Sequence, residues 1–169
     1  MKEEIEQALQ DLIGLQLTKT TKAATMECLQ FGQQKVVDKK EELMEIGAMG
    51  LHVQCSWRIV NQESILIGSL DVYEPKDEKA TYQEDFDWQA GNLRDATLQR
   101  LIATSALVVE AIAADAYGGV DITFSNQIKL QLFPAYSKVN EYTEHWRVLD
   151  NRPESNRHIV VSGSGVEIV

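Results

Sequence analysis

The stretch Leu51-His-Val-Gln-Cys-Ser-Trp-Arg-Ile59 decides how this chain is read. Leu51, Val53, Cys55, Trp57 and Ile59 fall on one face of an extended segment, and His52, Gln54, Ser56 and Arg58 fall on the other. Such strict alternation predicts an antiparallel strand with one face in a core and the other turned outward. After it, Asn61-Gln-Glu-Ser64 reads as a turn and Ile65–Tyr73 as the returning strand, closed by Pro75. Before it, Gly32-Gln-Gln34 reads as a turn, Lys35-Val-Val-Asp38 as a returning strand and Lys39–Glu45 as a charged loop.

Farther out the period changes. Ile5, Ala8, Leu9, Leu12 and Ile13 form one helical stripe, with acids in the first turn and Gly14 as its stop. Extended text follows, with Met26, Cys28 and Gln30 on one face and Glu27, Leu29 and Phe31 on the other. Asn92 caps a second helix that runs to about Thr104, with Leu98, Leu101 and Ile102 inward. Strands are then expected at Leu107–Asp115, Val120–Phe124, Ile128–Phe133 and His145–Leu149, with a terminal hairpin around Ser162-Gly-Ser-Gly165. The chain reads as an α+β protein, largely antiparallel sheets with two helices, in a single domain spanning 1–169.

The two halves echo one another. Leu9-Gln-Asp-Leu-Ile13 matches Leu98-Gln-Arg-Leu-Ile102, strands ending in Phe31 and Phe124 follow, and each half reaches a Trp-Arg pair, Trp57-Arg58 and Trp146-Arg147. These matches predict an internal duplication of an α-β-β-β-β-β unit over 1–74 and 92–169, related by a pseudo-two-fold and joined by the acidic segment 75–91.

With 169 residues, 44% of them hydrophobic, the chain holds enough apolar material for a core without metal or disulfide support. Its net charge of −10 leaves no basic stripe for phosphates, which disfavours nucleic acid and anionic membrane surfaces as partners. A basic protein partner is the complement that the charge favours. The opening Met1-Lys-Glu-Glu-Ile-Glu leads straight into a helix, and no apolar run reaches membrane length, so the expected location is cytoplasmic. Cys28 and Cys55 lack metal-ligand spacing and read as buried free thiols.

The stretch 51–59 resembles a segment of uncharacterised bacterial proteins that reads Leu-His-hydrophobic-Gln-Cys-(small or Pro)-Trp-Arg. The resemblance continues in Gly68-Ser-Leu-Asp71, Asn92-Leu-Arg-Asp95, Gly118-Gly119, Leu132-Phe-Pro134, Trp146-Arg147 and Arg157-His-Ile-Val160. It implies a bacterial, single-domain protein and brings no activity with it. Ser56 stands where that pattern often has Pro, which leaves the strand freer to hydrogen-bond.

Catalytic motifs are lacking. His52 and Cys55 point to opposite faces of one strand, so they do not pair as base and nucleophile. His52, His145 and His158 have no metal-type spacing, and no glycine pair opens a helix as a phosphate loop does, so no metal or cofactor is expected. His52, Gln54 and Arg58, with Asp71 on the returning strand and Arg147 in the second half, form the candidate ligand or partner face. Arg58 and Arg147 suit carboxylate recognition, or each is neutralised by a neighbouring acid, Asp71 being the natural one for Arg58. Asp85, Phe86, Asp87 and Trp88 form a candidate docking loop of aromatics among acids. The expected function is non-enzymatic protein–protein contact, an immunity-type inhibitor of a basic toxin being one form. The alternative is a small-ligand binder or enzyme using the polar face around Arg58.

Overall fold

The computed structural model describes residues 1–37, 43–77, 91–137, 143–153, 155 and 157–169, with side chains omitted for 34–37 and 43–45. The first helix, α1 (Lys2–Leu9), runs into a 3₁₀ turn at Gln10–Leu12. Ile5, Ala8, Leu9 and Leu12 are buried as the stripe predicts, but Ile13 leaves the helix and is exposed. Gly14 then takes a positive φ of 85° that ends the helical path.

Strands β1 (Leu17–Ala23) and β2 (Met26–Phe31) form a hairpin. Strands β3 (Gln34–Val37) and β4 (Leu43–Ile46) pair only with each other as a separate ribbon. The segment expected to be a charged loop thus contributes β4, and the returning strand at 35–38 does not rejoin β2.

The decisive stretch is two strands. β5 (Met49–Val53) and β6 (Ser56–Val60) belong to different sheets, and the alternation runs unbroken across the bend between them. The bend is fixed by one acceptor, since the amides of Gln54 and Cys55 both donate to the His145 carbonyl at 2.9 Å. A period of two cannot reveal such a bend, because each strand keeps its apolar side toward the same core. β7 (Ile65–Gly68) is shorter than expected, because Ser69–Tyr73 winds into a 3₁₀ turn. The Asp71 carboxylate accepts the Gly68 amide at 2.8 Å and holds that turn.

Helix α2 (Leu93–Thr104) starts where expected, with the Asn92 side chain accepting the Asp95 amide at 2.8 Å. β8 (Val109–Ala114), β9 (Val120–Phe124), β10 (Lys129–Phe133), β11 (Glu144–Asp150), β12 (His158–Ser162) and β13 (Gly165–Ile168) complete the chain. The sheets are antiparallel, one ordered β1-β2-β5-β11-β12-β13 and the other β7-β6-β10-β9-β8. The expected α+β architecture is therefore the observed one. One contiguous apolar cluster joins them, including Leu29, Leu51 and Trp146 from the first and Trp57, Ile122 and Leu130 from the second.

The halves do not build separate sheets. Each contributes strands to both, and their pairings correspond. Trp57 lies opposite Leu132, and Trp146 lies opposite Val53. Phe31 pairs with Leu17 and Phe124 with Val109, each pairing followed by a register shift on the outer strand. The Leu17 amide donates to Leu107, and the Val109 amide to Leu15, both at 2.9 Å. Exchange of strands lets each half cover apolar surface of the other, which a single half could not bury.

Candidate functional site

The outer face of the five-stranded sheet carries a polar row set by register. Gly68 lies opposite Arg58, Arg58 opposite Gln131, Gln131 opposite Asp121, and Asp121 opposite Ala113. Arg58 is held from two sides. Its Nε donates to Gln131 Oε1 at 2.9 Å, and its guanidinium lies 5.5 Å from the centre of the Phe133 ring. Gln131 Nε2 in turn donates to Asp121 Oδ1 at 3.0 Å, and Lys129 stands 3.8 Å from the same carboxylate. Among the described residues, Nη1 and Nη2 of Arg58 have no hydrogen-bond partner.

This row opens into a concavity of about 370 Å³ whose lining includes Arg58, Asp115, Asp121, Gln131 and Phe133. Asp115 is fixed in place: its Oδ1 accepts the amides of Tyr117 at 2.7 Å and Gly119 at 2.8 Å. A Cβ at Gly119 would collide with that carboxylate, so the glycine is what lets the acid fold over the strand end. Tyr117 is 80% exposed in that turn, Phe133 is 42% exposed, and Tyr136, just beyond it in the chain, is 68% exposed.

The other members of the expected face lie elsewhere. His52 is on the six-stranded sheet, opposite Cys28 and Arg147, so the bend at Gln54–Cys55 separates it from Arg58. Arg147 is engaged by Glu144, with Nε to Oε1 at 2.7 Å and a second, shorter contact from Nη2. That bond pushes the arginine up and, against the opposing effect of burial, holds the Glu144 carboxyl below its usual range, with Gln54 as a further donor. Burial and the neighbouring Arg147 push the His52 pKa down. Asp71 serves its own turn and is not the partner of Arg58. Asp85, Phe86, Asp87 and Trp88 lie outside the described residues.

Nucleophilic chemistry finds no support at Cys55, whose pKa burial pushes up to about 12. Among the described residues no group of three or more His, Cys, Asp or Glu side chains is placed to hold a metal ion. Among them, too, no helix is long and apolar enough to cross a membrane. No family model, curated protein or solved structure matches the chain.

A second charged cluster lies inside. Arg94, with 0% of its side chain exposed, reaches Glu27 at 3.2 Å, donates to the Thr25 carbonyl at 3.2 Å and stacks 5.9 Å from the Trp57 ring centre. Asp95 beside it binds Lys22 and accepts from Asn92 Nδ2 at 2.9 Å. Burial raises Glu27 to about 7 despite the lowering pull of Arg94. These contacts tie the start of α2 to the β1–β2 hairpin. The sequence carried the signal in two places. Arg94 precedes Leu98 by one helical turn, on the inward face, and Glu27 alternates with Leu29 and Phe31. A charge on each of two inward faces predicts a buried pair. Gln131, Asp121 and Asp115 carried no such signal, because outward polar residues are ordinary on a half-exposed sheet.

Proposed function

We propose that this chain is a recognition protein that acts by contact with another protein through the outer face around Arg58, and that it catalyses no reaction. One observation carries the reading: a guanidinium with two unengaged nitrogens sits in a concavity beside an exposed phenylalanine. Two exposed tyrosines close by in the chain add to it. Arginine and aromatic side chains in pockets contribute most of the energy at protein interfaces. The net charge of −10 favours a basic partner and speeds its approach, and an immunity-type inhibitor of a basic toxin is one such form. A bacterial, cytoplasmic setting belongs to the same proposal. We also propose that the halves arose by duplication, on the strength of their matching registers.

The test is co-purification from native lysate of wild type, Arg58→Gln and Phe133→Ala. A stoichiometric partner that wild type retains, that salt releases and that both variants lose is the expected result. A partner kept equally by both variants, or none at all, removes the reading. The size of the concavity also suits a small ligand. That alternative predicts a small carboxylate whose binding depends on Arg58 and is unaffected by Tyr117→Ala and Tyr136→Ala.

A further inference from the structure

We propose that the joint between the β1–β2 hairpin and the start of α2 is a proton-operated latch, closed while the Glu27 carboxyl keeps its proton and loosened when that proton leaves. The inference stands apart from the contact reading above. The joint is built of charged groups taken out of water. The side chains of Arg94 and Glu27 are 0% and 2% exposed, with Nε 3.2 Å from Oε2. That approach is too poorly aimed to be a hydrogen bond. Among the described residues, Glu27 Oε2 and Arg94 Nη2 are both buried without a hydrogen-bond partner. Arg94 directs its other donors elsewhere: Nη1 donates to the Thr25 carbonyl at 3.2 Å, and Nε to Asp95 Oδ1 at 3.5 Å. Its charge is therefore shared with a second acid, and Asp95 in turn binds Lys22.

Among the described residues, the charged or titratable groups facing Glu27 are Arg94 and Asp95 from α2, Lys22 from β1 and the Cys28 thiol beside it. β5 sets Val53 opposite Glu27, and β6 brings Trp57 against Arg94. A carboxylate in this place has too few donors to replace its water, so burial outweighs the pull of Arg94 and raises Glu27 to about 7. The hairpin itself is ready to move. Its turn holds Ala24 at a φ of 53°, which a residue with a Cβ rarely adopts, and the next residue supplies the carbonyl that Arg94 grips. When Glu27 ionises, opening lets the carboxylate regain water, and the turn relaxes once Arg94 releases Thr25. The closed joint binds the proton more tightly than the open one. Its stabilisation is complete below about pH 4.5 and is lost as pH rises through about 7. His52, on β5 opposite Cys28, acts in the reverse sense, because burial lowers its pKa.

The test is hydrogen exchange of the full chain, read by mass spectrometry from about pH 5.5 to 7.5 and corrected for the intrinsic rate, in wild type and Glu27→Gln. The variant removes the proton in question and keeps His52, so the difference between the two isolates Glu27. Over that range, protection of the β1–β2 hairpin and the first turn of α2 should fall on the order of tenfold in wild type relative to the variant. Amides of β9 and β10 should show no such difference. Parallel profiles in the hairpin overturn the inference. So does a fall shared equally by β9 and β10, which is global unfolding. A hairpin that gains protection with rising pH overturns it too, since an ionised pair then clamps the joint. If Glu27→Gln does not fold, Glu27→Val combined with Arg94→Leu serves as the reference, because it removes both charges together.

Discussion

Trp57-Arg58 and Trp146-Arg147 occupy corresponding registers on two sheets, yet one arginine is open and the other is closed. Both tryptophans enter the core, and both arginines point outward. The difference lies in the neighbours. Arg58 faces a neutral amide, Gln131, on one side and Gly68 on the other, and among the described residues no acid forms an ion pair with it. Arg147 faces His52 and is held by Glu144 three residues earlier on its own strand. The same dipeptide at the same place in the fold therefore has two chemistries, and what surrounds it decides which. An arginine already paired with an acid has little left to offer a ligand, whereas one oriented by an amide and a ring keeps its charge available.

The halves also differ inside, and there the largest effects are expected. Glu27 pairs across with Val53 as Val120 pairs with Leu132, so the Glu27–Arg94 pair replaces an apolar position in one half only. Glu27→Val should cost about 3–5 kcal/mol in urea unfolding, because it takes away the carboxyl group that faces the buried Arg94 guanidinium and leaves that cation against an apolar side chain. Adding Arg94→Leu should recover most of that loss. A single variant as stable as wild type would break the account of the cluster.

The same residue sets a pH dependence. Burial raises Glu27 from the usual carboxylate range to about 7, so the folded state binds its proton more tightly than the unfolded state does. Its contribution is fully present below about pH 4.5 and is lost as pH rises through about 7, a loss on the order of 1–3 kcal/mol. Asp150 acts in the opposite sense. The hydrogen bond from Arg152 holds it well below its usual range, so its contribution is lost only on acidification. Burial of His52 and His145 acts the other way over part of this range, so the reading is the difference between wild type and Glu27→Gln: the unfolding free energy of wild type should fall relative to that of the variant from pH 4.5 to 8. Parallel profiles would contradict the raised value.

Smaller effects sharpen the contrast between the tryptophans. Trp146 Nε1 donates to the Gly118 carbonyl at 2.8 Å inside the core. Trp57 packs instead beneath Arg94. Trp146→Phe should cost roughly 1–3 kcal/mol and more than Trp57→Phe, since it leaves a buried carbonyl without its donor. The reverse ranking, read from urea midpoints, would show that the cation contact matters more than the hydrogen bond. Glu144→Gln should cost about 1 kcal/mol, because the carboxylate is mostly buried against a half-exposed arginine. Asp121→Asn on the open face should change stability by less than about 0.5 kcal/mol.

Much of this fold was legible in the sequence because its signals are local. Helical stripes, the Asn92 cap and alternation at Val120–Phe124 each depend on near neighbours, and each appears where expected. The bend at Gln54–Cys55 was not legible, since it is made by a carbonyl ninety residues away at His145 and leaves the alternation intact. That hidden bend is why His52 and Arg58, adjacent in the expected polar ladder, are on different sheets. Arg58 itself was readable as outward and chemically apt. Its companions Gln131, Asp121 and Asp115 come from the other half of the chain, and pairing across that distance leaves no periodic trace. The turn at Ser69–Tyr73 was read as strand because its apolar residues also fit a period of two.

The most direct measurement is the rate at which a dicarbonyl reagent modifies each arginine of the folded protein, read by peptide mass spectrometry. The account predicts that Arg58 reacts much faster than Arg147, which Glu144 ties down, and that Arg94 stays unmodified until the protein unfolds. Glu144→Gln should raise the Arg147 rate toward that of Arg58. Equal rates for Arg58 and Arg147 in the wild-type protein would contradict the claim that one face is open and the other closed.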